Sequence, residues 1–217
     1  DFASDFSREG GLDILINNVG GTIWAQPFEH YRPEQIQKEI QRSLFPTLWC
    51  CRAVLPYMVT QGGGAIVNVS SVATRGLMRV PYGAAKGGVN ALTVNLAFEY
   101  AGHGIRVNAV QPGFINTNIF TASLEIPDAV KDQAKAMIAQ MSSNAQPVAR
   151  GGQPDDIANA VAFLASEEAG FMTGASMIVD GGITLGPRHS WDPEEAGAFE
   201  ALTALEEQVK AAAQQTT

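Results

Sequence analysis

Cysteine is nearly absent from this chain: the only two, Cys50 and Cys51, are neighbours in an apolar stretch of helical pattern. Adjacent helical residues point about 100° apart, so the pair offers neither a metal-ligand spacing nor a disulfide framework. Two small core or interface residues are expected, in a chain suited to a reducing cytoplasm. Histidine is as scarce, and His30, His103 and His189 show no metal-ligand spacing, so no metal site is expected. No run approaches the roughly 18 uninterrupted apolar residues of a membrane-spanning helix. The opening Asp1-Phe2-Ala3-Ser4-Asp5 has neither the basic nor the apolar region of a secretory signal. Basic residues are outnumbered, 14 against 22 acidic, for a net charge of −8. Nucleic acid selects for basic faces, so neither a nucleic-acid nor a membrane partner is expected, and the location expected is cytoplasmic.

What is present is an alternation of short apolar runs with helical patterns. Leu12-Asp13-Ile14-Leu15-Ile16 lacks polar alternation and reads as a strand covered on both faces, as in parallel sheets. Pro33 to about Thr60 reads as one long helix with Pro46 inside it. Gly62-Gly63-Gly64 then turns into a second strand, Ala65 to Val69. Pro81 opens a helix to about Tyr100, which Gly102 and Gly104 stop. Ile105 to Val110 is a third strand, closed by Pro112-Gly113. A polar, helix-prone stretch runs from about Pro127 to Met141, a helix from Pro154 to about Ser166, and a fourth strand from Ala175 to Val179. This order predicts an α/β fold around a parallel sheet. The division expected is a catalytic domain over 1–186 and a helical extension over 187–217, whose Ser190-Trp191-Asp192-Pro193-Glu194 suits a helix start.

Tyr82 and Lys86 stand four apart on one face of the helix that Pro81 opens. A free tyrosine ionises near pH 10 and is a poor base at neutrality. A nearby cation favours the phenolate and brings the group closer to where proton transfer is efficient. Tyr-x-x-x-Lys alone is a weak signal, but Ser70-Ser71 closes a buried strand eleven residues earlier. Asn17-Asn18-Val19-Gly20 and Pro112-Gly113-Phe114-Ile115-Asn116-Thr117 close its neighbours. All of these fall at the C-terminal edge of one sheet, where open α/β folds bind ligands, and glycines there allow close backbone approach.

From about Gly11 to Gly186 the chain resembles the short-chain dehydrogenase/reductase family. The features that carry the resemblance are Asn17-Asn18-Val19-Gly20, Ser71 with Tyr82 and Lys86, Pro112-Gly113 with Thr117, and Val179-Asp180-Gly181-Gly182. It implies a Rossmann-like doubly wound parallel sheet and a hydride passed between NAD or NADP and a carbinol carbon. Tyr82 would be the general acid/base and Ser71 would hold the substrate oxygen. Lys86 would bind the nicotinamide ribose and depress the Tyr82 pKa. Asn17, Gly20, Pro112, Gly113, Ile115 and Thr117 would border the cofactor, and a homodimer or homotetramer is implied. Two features depart from the family pattern. The glycine-rich phosphate loop and its acidic or basic neighbour are absent. About three strands would precede Leu12, so a truncated sheet of about four strands, insoluble or inactive alone, is expected. Ser43, in Ser43-Leu44-Phe45-Pro46, stands where the family has a catalytic asparagine. Pro46 leaves the Arg42 carbonyl without its helical partner, and two readings follow: Ser43 with that carbonyl holds a relay water, or the kink shapes an interface.

The stretches from Asn17 to Trp24, Arg42 to Cys51, Ser70 to Gly76 and Val80 to Gly88 resemble more narrowly the bacterial dehydrogenases of dihydroxycyclohexadiene carboxylates. An acidic cyclic diol is the small-molecule substrate this implies, with Arg75 and Arg79 as carboxylate partners and Trp24 as a wall for the ring. The same residues also read as a solvated arginine face and a packed tryptophan. A broad ketoreductase of the 3-oxoacyl type, and a non-catalytic remnant or assembly subunit, are the alternatives.

Overall fold

The computed structural model describes residues 11–76, 79–117 and 128–186, together with residue 203. Four parallel strands, β1 (Ile14–Asn17), β2 (Gly64–Val69), β3 (Ile105–Pro112) and β4 (Ser176–Val179), lie side by side in chain order. The helices are α1 (Pro33–Ser43), α2 (Phe45–Gln61), α3 (Val80–Tyr100), α4 (Asp128–Ala145) and α5 (Pro154–Ala165). The α/β architecture matches the sequence expectation, and most boundaries fall within a residue or two of it. The extension expected from Pro187 onward lies outside the described residues, Thr203 apart.

Register explains how the strands divide their side chains. Leu15 pairs with Ile66 and Asn17 with Asn68, while Ile66 pairs with Val107. These residues share the sheet face that meets α2 and α3. There Cys51, Val54, Leu55 and Met58 of α2 and Ala97 of α3 pack on Ile66, Ile105 and Val107. The alternate residues, Val67 and Val110, point to the other face and pack on Val161 and Leu164 of α5. Each such side chain, fully buried, contributes about 1.5–3 kcal/mol, so the two layers hold β2 and β3 firmly between them.

β1 corrects one expectation. Its continuous apolar run suggested cover on both faces, yet Ile14 and Ile16 are 50% and 51% exposed. They project to the α5 side of the sheet, and α5 packs on β2, β3 and β4. The expected single helix from Pro33 is two. Leu44, at φ −115° and ψ −51°, joins α1 to α2, and Pro46 lies in the first turn of α2. A proline there lacks a donor that the helix would not use, so the break shifts to Leu44 instead of producing a kink within one helix.

Polar side chains lock the frame. Arg106 donates to the carbonyls of Leu164 (2.8 Å) and Ser166 (2.9 Å), satisfying carbonyls that the end of α5 leaves open. Asn108 bridges to the Met172 carbonyl and the Ala175 amide. Asn17 Nδ2 donates to Asn68 Oδ1 (2.8 Å), and Asn68 Nδ2 to Thr93 Oγ1 (2.9 Å), tying β1, β2 and α3 together beneath the strand ends.

Candidate active site

The C-terminal ends of β1, β2 and β3 and the sides of α3 and α5 enclose a cavity of about 570 Å³, within the usual range for small ligands. Ser71, Tyr82, Lys86, Gly20, Pro112, Gly113, Ile115, Thr117 and Arg79 all line it, as the sequence reading placed them. Tyr82 and Lys86 are both buried. They lie one turn apart on α3, whose start is fixed by Ser70 Oγ donating to the Lys86 carbonyl (3.1 Å).

Ser71 caps the short turn Val72–Arg75: its Oγ accepts the Ala73 amide (3.0 Å). That leaves its hydroxyl proton for another acceptor. Lys86 Nζ donates to the Val69 carbonyl (2.6 Å) and stands 5.9 Å from the centre of the Tyr82 ring. Burial lowers the Lys86 pKa to about 8. Tyr82 is shifted in the opposite sense to Lys86. Its pKa is raised above the ordinary 10.0, first by burial, against hydrogen bonding to Ser71 and the charge of Arg79, which lower it; Glu39 raises it further. Burial outweighs the hydrogen bond and the Arg79 charge in the chain without ligand.

Two glycines shape the wall by what they lack. Gly20, at φ +151°, would place a Cβ 3.1 Å from Lys86 Nζ. A Cβ on Gly113 would lie 2.6 Å from the Cα of Asp180. The walls are thus bare backbone at both places, and the strand-end loops close in where a side chain would hold them apart. A flat group seated against Gly20, with Lys86 beside it, fits this surface.

Other site residues proposed from sequence lie elsewhere. Asn17 turns its side chain into the core, onto Asn68 and Cys51 Sγ (3.3 Å), and Asn18 borders the cavity in its place. Odd and even positions of a strand face opposite ways, and the register puts Asn17 on the face that meets α2 and α3. Cys51 is buried, with its thiol pushed up to about 12 mainly by burial, whereas Cys50 is exposed. Ser43 is fully buried but does not line the cavity. Its Oγ accepts from the Gly21 amide (3.3 Å) and donates to the Gly21 carbonyl (3.1 Å), which leaves that hydroxyl no proton for a relay. Arg75 is exposed, and neither it nor Trp24 lines the cavity. Trp24 is held through its backbone, by Tyr31 Oη at 2.9 Å and by Glu39.

The sequence reading missed the apolar wall from α5: Pro154, Ile157, Ala158, Val161 and Ala162. The i, i+4 spacing of Ile157 and Val161 on a helix beside the strand ends was the available signal. It missed Glu39 as well. This residue is 0% exposed and four positions before Ser43 on the same helix face. A second cavity, of about 720 Å³, runs between α2 and α3 and is lined chiefly by Leu48, Trp49, Leu55, Val59, Leu92 and Leu96.

Comparison with known proteins gives the same frame. A family profile described as enoyl-(acyl carrier protein) reductase matches residues 2–184. The chain is 55% identical over 182 residues to the 1,6-dihydroxycyclohexa-2,4-diene-1-carboxylate dehydrogenase of Pseudomonas putida, covering 83% of this chain and 67% of that one. It is 48% identical over 179 residues to the Acinetobacter baylyi enzyme of the same name, covering 80% and 67%. The matched span is thus about two thirds of the length of these relatives. In three dimensions it resembles a gluconate 5-dehydrogenase from Burkholderia cenocepacia, solved with NADP and tartrate. The TM-score is 0.73 at 29% identity, over 85% of this chain and 69% of that one. Among the described residues, no helix is long and apolar enough to cross a membrane. With Ser71, Tyr82 and Lys86 gathered at the ends of a parallel sheet and relatives of this similarity, the chain belongs to the short-chain dehydrogenase/reductase family of nicotinamide-dependent oxidoreductases.

Proposed function

We propose that this chain oxidises a ring hydroxyl of a cyclic cis-diol carboxylate, and that Ser71, Tyr82 and Lys86 carry the chemistry. The observation that carries this reading is the meeting of a phenol, a hydroxyl and a guanidinium, those of Tyr82, Ser71 and Arg79, on the wall of one cavity. The first two serve an alcohol oxygen, and the third serves a carboxylate. The two relatives named for a dihydroxycyclohexadiene carboxylate support it.

The bare backbone at Gly20 and Gly113, with Lys86 Nζ beside Gly20, would receive the nicotinamide half of NAD or NADP. When bound, that group supplies the hydride acceptor. Tyr82, as its phenolate, would accept the proton of the substrate hydroxyl as the carbonyl forms, and Ser71 would donate a hydrogen bond to the same oxygen. Arg79 pairs with the substrate carboxylate, and the α5 wall of Ile157 and Val161 keeps water from the ring. In such a substrate the new ketone lies next to the carbon that bears the carboxylate. The product is a β-keto acid, which loses CO2 and leaves an aromatic diol.

The test is a panel of a cis-dihydrodiol carboxylate, a neutral cis-dihydrodiol and simple secondary alcohols, each with NAD and NADP, followed by the near-ultraviolet absorbance of the reduced nicotinamide. Turnover of the carboxylate with release of a catechol and CO2 is the expected result. Equal turnover of neutral alcohols would replace the diol reading with that of a broad alcohol dehydrogenase or ketoreductase. The same reading makes the enzyme a homo-oligomer joined through α2 and α3, where Trp49 is 62% exposed beside the apolar groove. Trp49→Glu should then shift the protein to a smaller species in light scattering.

A further inference from the structure

α1 turns two polar side chains, one helical turn apart, into the interior: Glu39 and Ser43, both 0% exposed. Both hold the same stretch of chain. Ser43 holds both the backbone amide and the backbone carbonyl of Gly21. Glu39 Oε1 accepts the amides of Ile23 (2.8 Å) and Trp24 (2.9 Å). The Trp24 carbonyl in turn accepts from Tyr31 Oη (2.9 Å) and Thr22 Oγ1 (3.0 Å). At the head of this stretch is Gly20, which borders the cavity and lies against Lys86. A segment whose first residue forms the ligand wall is therefore fixed at its far end by a buried carboxylate.

Stability alone does not account for that carboxylate. Glu39 Oε2 is buried without a hydrogen-bond partner among the described residues, and burying a charged group without full pairing is unfavourable. A polar atom in that state calls for an explanation, and the stretch of chain that Glu39 holds offers one. Its charge also reaches the site, since Glu39 acts to raise the pKa of both Tyr31 and Tyr82.

We propose that Glu39 is a positioning residue of the active site. By holding Ile23 and Trp24 it sets the place of the Gly20 wall relative to Lys86, and so the affinity for the nicotinamide group that lies there. The proposal rests on reading the cavity as the nicotinamide and substrate site.

Three variants of the full chain test it: Glu39→Leu removes both acceptor oxygens, Glu39→Gln keeps one, and Tyr31→Phe loosens the Trp24 carbonyl from the opposite side. Amide hydrogen exchange at Ile23 and Trp24 reads the segment, and titration with NADH and NADPH reads the wall. In Glu39→Leu both amides should exchange at least about ten-fold faster. Its dissociation constant for the bound nucleotide should rise by about five-fold or more, with kcat at saturation changed less than KM. Glu39→Gln should stay close to the parent in both readouts, and Tyr31→Phe should fall between. Parent-like exchange and binding in Glu39→Leu would overturn the proposal. So would a loss in Glu39→Gln as large as in Glu39→Leu, since charge and not the acceptor would then be what matters. If Glu39→Leu does not fold, Tyr31→Phe decides: weakened nucleotide binding supports the proposal, and unchanged binding overturns it. Neither exchange nor nucleotide binding depends on the diol, so failure of the substrate reading would show separately, as absent diol turnover in the parent.

Discussion

Replacing Lys86 by Met should make the cofactor-free protein more stable at neutral pH while abolishing its activity. Lys86 is 3% exposed, and burial alone brings its pKa from 10.5 to about 8. At about 1.4 kcal/mol per pH unit, that displacement corresponds to about 3 kcal/mol by which burial disfavours the ammonium. Methionine fills a similar volume without charge, but it leaves the Val69 carbonyl without the charged donor now at 2.6 Å, a loss of about 2 kcal/mol. The net expectation is a gain of about 1 kcal/mol at pH 7. The sign of its pH dependence follows from the two pKa values. Below about 8 both the folded and unfolded parent carry the proton, and the full penalty is present. Between about 8 and 10.5 the unfolded chain holds a proton that the folded one does not, so the parent gains stability with rising pH and the advantage of the variant shrinks. Urea unfolding followed by tryptophan fluorescence, without nucleotide, at pH 7 and near pH 10, measures both numbers. A variant less stable than the parent at pH 7, or a difference independent of pH, would refute the reasoning.

Three further outcomes follow from the same geometry. Tyr82→Phe should reduce kcat by about 10²- to 10⁴-fold, the usual contribution of a positioned acid/base, with nucleotide binding and the unfolding midpoint nearly unchanged. Arg79→Gln should raise KM for a diol carboxylate by about ten- to a hundred-fold, as expected when one charge-assisted pair is lost. It should leave a neutral diol unaffected, and equal effects on both substrates would remove Arg79 from carboxylate recognition. Gly113→Ala drives a methyl to within 2.6 Å of the Asp180 backbone, and should destabilise the chain by about 2 kcal/mol or more in the same urea assay.

The fold was legible because β2, β3 and their helices obey local rules. Their buried strands read as short runs dominated by Ile, Val and Ala, and Pro81 and Pro154 mark helix starts that the structure places in first turns. Ser71, Tyr82, Lys86 and Gly113 were legible for a related reason, since strand ends and first turns fix where their side chains go. Asn17 was misread because one residue of register decides its face. The neighbour Asn18, of identical chemistry, took the cavity position. For Trp24 and Arg75 two readings stayed open, and the cavity lining favours the packed tryptophan and the solvated arginine, because a side chain in a loop is placed by its tertiary partners and no spacing announces them. Ile14 and Ile16 show the limit of composition: an apolar run predicts a strand, but which neighbours cover it is decided by the helices that pack there.

The polar interior divides into two kinds, and the division separates frame from site. Asn17, Asn68 and Thr93 form a chain in which each donor finds an acceptor. Such a fully satisfied network fixes register with little residual energy to release. Lys86, Tyr82 and Glu39 are buried as deeply but less well served. One is an amine whose pKa is lowered by burial, one a phenol whose pKa is raised by it, and one a carboxylate with an oxygen unpaired among the described residues. Lys86 and Tyr82 are groups of the kind that gather at working sites, shifted by burial and facing a cavity. Lys86 and Tyr82 line the cavity, and Glu39 is tied to it through the segment that begins at Gly20. Nucleotide binding should therefore stabilise the parent more than it stabilises Lys86→Met, because the ligand supplies acceptors to an ammonium whose one acceptor among the described residues is the Val69 carbonyl.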